Sequence, residues 1–195
     1  MATRKRSKVE GSARDRLVSA GETLFSDRTI DDVSASEIAS AAGVAHGLLF
    51  HHFGTKLNFY VEVFKASFAK VHADREAATA EGSPEQRLRA FVTTHLHSME
   101  ARKGAYIFYH RGGTPEKILT LLEESRMNGV KLVLSFFSDL PPSDVDLCLG
   151  RAWLAMVSEL ILFWIRNGHL SENGIIEASV GLFHQIMSRA KLIAP

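Results

Sequence analysis

The stretch Ser34–Lys56, which reads SASEIASAAGVAHGLLFHHFGTK, decides the fold of this 195-residue chain. Ser34 and Glu37 have the spacing of a capping box, which predicts the start of a short helix. Gly43 then gives the backbone the freedom that a tight turn between two helices needs. The stretch therefore predicts two short helices joined by a glycine turn, which is the pattern of a helix-turn-helix.

The second predicted helix of this pair spans about Ala45–His51. Two helices this short are seldom packed around one glycine unless the second is presented to a partner, and duplex DNA suits this geometry. The histidines of the stretch, His46, His51 and His52, also raise the alternative of a metal site. Because adjacent histidines on a helix point about 100° apart, we predict a DNA-facing role and no metal ligands.

The remaining sequence predicts an all-α fold, because apolar residues recur at helical spacing and no alternating strand pattern appears. About nine helices are expected in total. Besides the pair, they cover about 12–26, Thr55–Ala78, Ser83–Met99, Lys103–His110 with a stop at Gly112-Gly113, Pro115 to a stop before Pro141, Ser143 to a stop at Gly168, and Ser171–Ile186.

The composition predicts a soluble globular protein, with 46% apolar residues, 23% charged residues and a formal net charge of +1. The single cysteine, Cys148, excludes an intramolecular disulfide, and its apolar neighbours predict a buried side chain. The N-terminus lacks the apolar segment of a secretory signal. The longest apolar tract, Ala152–Ile165, is too short to span a bilayer, so we expect a cytoplasmic protein.

Positive charge is concentrated at the N-terminus, where residues 1–16 carry six basic and two acidic side chains. Next to a DNA-reading unit, such an arm can contact phosphate. The alternative is a solvated tail.

The predicted helix over Leu147–Ile165 is apolar almost all round, so every side of it must be buried. Packing of the last two predicted helices, about 143–191, against the same pair of a second copy would bury it in a two-fold interface. The alternative is a helix threaded through the centre of a monomer. Inside this helix, Arg151 and Glu159 either pair within or across the dimer, or anchor a ligand in an apolar pocket.

The chain resembles the TetR/AcrR family of bacterial transcriptional regulators. The resemblance rests on Ile38-Ala39, Ala42-Gly43-Val44, the run Gly47–Phe53 and Lys56 after a two-residue gap, and it covers roughly residues 12–66. It implies an N-terminal three-helix DNA-binding domain followed by a helical ligand-binding and dimerisation domain. We accordingly predict a basic disordered arm at 1–10, a DNA-binding domain at 11–66 with its helix-turn-helix at 34–53, and an effector-binding and dimerisation domain at 67–195.

The resemblance also implies which residues contact DNA. The second helix of the motif would lie in the major groove, with Gly47 permitting close backbone approach, and Lys56 would bind phosphate. The implied DNA-binding residues are Ser34, Ser36, Ala45, His46, Gly47, Leu48, Phe50, His51, His52 and Lys56.

Three positions depart from the usual family pattern. Ala45 stands where a Ser or Thr is common, so a helix cap and a phosphate-binding hydroxyl are missing. Phe50 and His52 replace a tyrosine pair, and Leu48 replaces a common threonine. Phosphate binding is therefore expected to shift toward Lys56, the serines and the basic arm.

The family pattern further implies an effector pocket in the second domain. Its candidate lining residues are Phe68, Phe91, His95, Met99, Phe108, Met127, Phe137, Trp153, Met156, Glu159 and Trp164. Because few charged side chains are among them, the expected effector is small and mainly apolar or aromatic. It would favour a spacing of the two recognition helices that no longer fits the operator.

Two hypotheses follow. The first is a ligand-responsive, dimeric transcriptional regulator, preferentially a repressor, that binds a palindromic operator. The second is a helical ligand-binding or interaction protein with weakened DNA affinity, which the changes at Ala45 and Phe50 keep open. We find no catalytic constellation and no cofactor motif, and we predict that the chain is not an enzyme.

Overall fold

A computed structural model of the chain describes residues 11–103 and 114–190. Over these ranges the chain contains eight helices and no strand, which confirms the predicted all-α class. The helices are α1 (Ala13–Leu24), α2 (Ala35–Ala41), α3 (Gly47–Phe53), α4 (Lys56–Ala78), α5 (Pro84–Glu100), α6 (Glu116–Leu134), α7 (Asp144–Asn167) and α8 (Glu172–Met187). The basic arm and, apart from Lys103, the short helix predicted over Lys103–His110 lie outside the described residues.

The chain forms two compact units, Met1–Phe64 and Lys65–Pro195, so the division falls within α4. In the first unit, α1, α2, α3 and the beginning of α4 share one core. The core side chains with no exposed surface include Leu17, Ile38, Leu49 and Phe59, one from each helix. Helices of seven residues are not stable alone, so this shared core is what maintains α2 and α3.

The core of the second unit is formed by α5 to α8. Trp153 has no exposed surface, and its Nε1–H donates to the carbonyl oxygen of Ser179 at 2.8 Å, which joins α7 to α8. Ser83 and Ser143 begin α5 and α7 with complete capping boxes, as local sequence predicts. The predicted stop at Gly168 is confirmed, because this residue is left-handed with φ of 62°.

The surface of α7 corrects two predictions. The predicted burial of Cys148 is wrong, since Cys148 is exposed on the side of α7 that faces away from the core. The length argument against a membrane span is also wrong, since α7 has 24 residues. By length and composition alone α7 could cross a membrane, a test that core helices of soluble proteins also pass.

Candidate functional site

The start of α2 has the predicted N-cap, Ser34. The Ser34 Oγ accepts from the Glu37 backbone N–H at 3.1 Å, as an N-cap should. The Glu37 carboxylate accepts from Arg28, with Nη1 2.5 Å from Oε1. This hydrogen bond from Arg28, with a smaller contribution from the Ser34 backbone N–H, lowers the pKa of Glu37.

The turn between α2 and α3 depends on Gly43, whose φ of 63° is left-handed. The Val44 N–H donates to the Ala39 carbonyl at 3.0 Å, which closes the turn. Helix α3 begins at Gly47, two residues after the predicted start at Ala45. The reason is that the chain is still turning at Ala45, whose carbonyl accepts from Leu48 and whose side chain has no hydroxyl to cap the helix.

Helix α3 has one buried and one exposed face. Leu49 and Phe53 are buried in the core of the first unit. The opposite face carries Phe50, which is 41% exposed, and the neighbouring histidines. Leu49 and Phe53 are four residues apart and so share one face of the helix, and the three residues between them are exposed.

The exposed face has a defined polar arrangement. The Ser36 Oγ of α2 lies 3.2 Å from the His46 Nδ1, which connects the two helices of the motif. The imidazole of His46 also packs edge-on against Phe50, with 5.5 Å between ring centroids. His51 and His52 pack against each other at 5.3 Å.

Lys56 is half-buried at the first position of α4. The Thr55 hydroxyl accepts from the Asn58 N–H at 3.0 Å, so Thr55 caps this helix as the sequence predicts. The ten implied DNA-binding residues therefore all lie in the first unit. Eight of them are exposed, and Leu48 and Lys56 are half-buried.

The candidate effector residues are dispersed through the second unit. The structure brings Phe91, His95 and Trp153 together, with ring centroids of Phe91 and Trp153 6.2 Å apart. Phe137 lies elsewhere, against Phe183 of α8 at 5.1 Å. Of the remaining candidates, Met99 is buried, Phe68, Met127, Met156 and Trp164 are half-buried, Glu159 is exposed, and Phe108 is outside the described residues.

His95 is the buried, hydrogen-bonded histidine that its place on the apolar face of its helix predicts, but its buried partner Arg75 was missed by the sequence reasoning. Arg75 is only 4% exposed, and its Nη2 donates to the His95 Nδ1 at 2.7 Å. The His95 Nε2 lies 3.2 Å from the Ser158 Oγ, which itself donates to the Leu154 carbonyl. A guanidinium cannot accept, so His95 is neutral with its hydrogen on Nε2, donated to Ser158.

Electrostatics agrees with this assignment. Burial, and then the charges of Arg75 and Arg126, hold the pKa of His95 well below the usual 6.5. Arg75 could have been found from its spacing, because Val71, Arg75 and Thr79 recur every four residues and all are buried. The prediction of few charged groups near the candidate pocket therefore missed one buried cation.

Two further observations bear on the predicted sites. Arg151 pairs within the chain, with its Nε 2.8 Å from Glu123 Oε1 of α6. A surface groove of about 440 Å³ lies between the segment that follows α6 and the end of α8; its lining includes Phe137, Leu140 and Met187. Within the described ranges, no three side chains of the metal-ligating types are grouped so that they could hold a metal ion.

Comparison with known proteins gives consistent matches. A sequence model described as "Bacterial regulatory proteins, tetR family" matches residues 17–63. The HTH-type transcriptional activator FasR of Mycolicibacterium smegmatis is 32% identical over 192 residues, covering 91% of this chain and 86% of FasR. The HTH-type transcriptional repressor KstR2 of Rhodococcus jostii is 29% identical over 169 residues, covering 80% of each chain. In fold, the chain is similar to a tetR-family transcriptional regulator from Streptomyces coelicolor, with a TM-score of 0.78 and 23% identity over 93% of this chain and 83% of that one.

Proposed function

The chain belongs to the TetR family of bacterial transcriptional regulators, and we propose that it is a dimeric repressor that leaves its operator when it binds a small, mainly apolar effector. It is a DNA-binding regulator and not an enzyme. Of two relatives, KstR2 is named a repressor and FasR is named an activator. A cytoplasmic location is part of the proposal, since the relatives regulate transcription in bacteria.

The observation that carries the proposal is the exposed face of α3. Phe50 and His51 are exposed there, while Leu49 and Phe53 are buried. One face of the helix is therefore packed against the core of the first unit, and the other face is accessible to a partner. An α-helix presented in this way fits the major groove. We place α3 in that groove, with Ser34, Ser36 and Lys56 as phosphate contacts.

A second copy is proposed to cover α7 and α8. On α7, one outward line of side chains consists of Cys148, Ala152, Ala155, Glu159 and Phe163, all exposed. On α8, the exposed line consists of Gly174, Ala178, Gly181 and Gln185. Small side chains let helices approach closely, and Phe163 is 57% exposed, so the two lines suit a four-helix interface.

The effector is proposed to bind in the second unit, near the aromatic group of Phe91, His95 and Trp153. These three side chains are apolar or neutral, and the buried cation beside them, Arg75, is already bonded to His95, which favours an apolar or aromatic ligand. By population shift, the effector would stabilise a dimer in which the two α3 helices no longer match the two half-sites.

A mobility-shift assay with the DNA flanking its own gene tests the proposal. We expect binding that weakens steeply with salt, and release by at least one member of a panel of apolar and aromatic compounds. A helical interaction protein with weakened DNA affinity is the second candidate, favoured by the lack of a side-chain cap on α3. Absent or salt-insensitive DNA binding would decide for this second candidate.

A further inference from the structure

The recognition surface carries an unusual set of hydrogen-bonding groups. From Ala45 to Phe53 the sequence is AHGLLFHHF, which contains no Lys, Arg, Ser, Thr, Asn or Gln. The side chains that read base edges in most complexes are therefore missing from α3 itself. Any hydrogen bond from a side chain of this segment to a base must come from an imidazole of His46, His51 or His52.

Of these three histidines, His46 is the one held by a neighbouring element. Ser36 of α2 lies on one side, with its Oγ 3.2 Å from Nδ1, and the Phe50 ring packs on another at 5.5 Å and 63°. In the described part of the chain, the other two histidines have ring contacts but no hydrogen bond at a ring nitrogen. An imidazole fixed by a hydrogen bond and an aromatic contact loses less rotamer entropy on binding, so His46 is pre-oriented for recognition.

The bond to Ser36 determines which atom of His46 is left for DNA. A serine hydroxyl both donates and accepts, so it can donate to a neutral Nδ1 or accept from a protonated one. When Ser36 donates to Nδ1, the single ring N–H hydrogen of the neutral imidazole is on Nε2, and in the imidazolium Nε2 also carries a hydrogen; in the neutral Nδ1–H tautomer Nε2 carries a lone pair. The negative potential of DNA favours the two forms with a hydrogen on Nε2, because they present a donor rather than a lone pair to the phosphates and base acceptors.

We propose that His46 reads a purine in each half-site, preferentially guanine, by donating its Nε2–H to N7, and that Ser36 is the positioning residue that holds the ring. Guanine presents two acceptors, N7 and O6, on the same major-groove edge, and a single outward donor is suited to this edge. The inference rests on the proposed function, since it requires α3 to enter the major groove. It makes the specificity of α3 depend on a side chain of α2.

Atomic replacement in the DNA tests the role of His46. A duplex is selected with the full-length protein from a random-sequence pool, and 7-deazaguanine or 7-deazaadenine is then introduced at one purine at a time. We expect one position per half-site at which loss of N7 weakens binding by the unmodified protein about fivefold, the effect of one hydrogen bond. The His46→Ala variant should bind more weakly and show no further loss at that position.

A second variant separates positioning from a structural role. Ser36→Ala should lose the discrimination against the 7-deaza base at the same position, and Ser36→Thr, which keeps a hydroxyl, should restore it. Nitrogen-15 spectra of the imidazoles should show a changed tautomer population for His46 in Ser36→Ala. Ser40→Ala, an exposed serine at the other end of α2, is the matched control and should behave like the unmodified protein.

The outcomes are distinguishable. If the unmodified protein selects no sequence at all, the proposed function fails and this inference fails with it. If the unmodified protein selects a sequence, but every 7-deaza replacement changes its affinity and that of His46→Ala by the same factor, the inference alone is overturned. If the position exists but Ser36→Ala discriminates normally, His46 reads the base and the positioning role of Ser36 is refuted.

Discussion

At the scale of single residues, two glycines of the first unit have opposite roles. A Cβ at Gly21 would lie 2.5 Å from Val63 Cγ2 and 2.7 Å from Phe59 Cζ, whereas at Gly47 no heavy atom lies within 4 Å. We expect Gly21→Ala to lower the free energy of unfolding by about 1–3 kcal/mol, because the core must shift. Gly47→Ala should keep or raise the melting temperature, since alanine favours a helix over glycine by about 1 kcal/mol.

The same pair separates stability from DNA binding. Gly47→Ala should weaken operator binding in a mobility-shift assay despite its intact fold, because a methyl group stands between the backbone and the groove. Thermal melting of both variants supplies the stability measurement. Operator binding by Gly47→Ala equal to that of the unmodified protein would show that the backbone does not approach the bases at this position.

The buried imidazole of His95 predicts a pH dependence of stability. Burial, and then the charges of Arg75 and Arg126, hold its pKa well below 6.5, so the folded chain excludes a proton that the unfolded chain takes up near pH 6.5. Stability should therefore be unaffected by this group above pH 6.5 and fall as the pH drops below it. The slope from this group is at most about 1.4 kcal/mol per pH unit.

Urea unfolding between pH 7.5 and pH 5 checks this expectation. His95→Gln cannot take up the proton and should give a flatter curve than the unmodified protein over that interval. His169→Gln, at an exposed position, is the control and should leave the slope unchanged. Identical slopes for the unmodified protein and His95→Gln would show that His95 is charged in the fold or is not buried.

Single residues were predictable where their partners are close in sequence. The Ser34 cap bonds to Glu37, three residues away, and was found from spacing alone. The partner of Glu37 is Arg28, nine residues away across a loop, and no local pattern indicates it. The bond from Arg75 to His95 joins residues 20 apart, so its detection required the packed core.

At the scale of elements, helix starts were predicted better than the inter-helix turn. Ser12, Ser83 and Ser143 each accept from a backbone N–H three residues on, a signal that is contained in four residues of sequence. The start of α3 was misplaced because it depends on how the chain leaves Gly43, which is determined by packing against the core. A helix cap is determined by residues close in sequence, whereas the conformation of the turn is determined by tertiary packing.

The basic arm is an element whose contribution to binding can be tested directly. Residues 1–8 carry Arg4, Lys5, Arg6 and Lys8. Because α3 offers no Lys or Arg, we expect deletion of residues 1–8 to weaken operator binding and to flatten its dependence on salt. The slope of log K against log salt should become shallower by about 0.9 for every phosphate that the arm neutralises.

Binding isotherms at several salt concentrations measure this slope. Lys131→Gln, an exposed basic residue of α6, is the control for a general loss of positive charge and should leave the slope unchanged. If the deletion variant shows the same salt dependence as the full chain, the arm does not contact DNA phosphates.

At the scale of the whole molecule, the exposed surface of α7 requires an explanation. Only 33% of its most apolar window is buried within one chain, although the sequence predicts burial on every side. The periodicity of the sequence identified the apolar surface, but it cannot distinguish a partner copy from a monomer core. The structure places Ala152, Ala155 and Phe163 outward, and all three are exposed in the described part of the chain.

The last prediction tests whether a second copy covers this surface. Ala155→Arg places a long cation in the middle of the outward line of α7, where it would keep a facing helix from approaching and would have to be desolvated in the interface. We expect this variant to sediment as a monomer when the unmodified protein sediments as a dimer. Operator affinity should fall about 100-fold or more, because each half-site is then bound without the effective concentration that the dimer provides.

The design includes a control for surface charge. Ala77→Arg makes the same substitution at an exposed position of α4 in the second unit, and it should remain dimeric with unchanged operator affinity. The melting temperature of each variant shows whether the fold is retained, since an exposed alanine should tolerate arginine in a monomer. If Ala155→Arg is dimeric and binds the operator with full affinity, the dimer interface does not include this part of α7. If it is a folded monomer with weak affinity, the apolar surface of α7 forms the dimer that binds two half-sites.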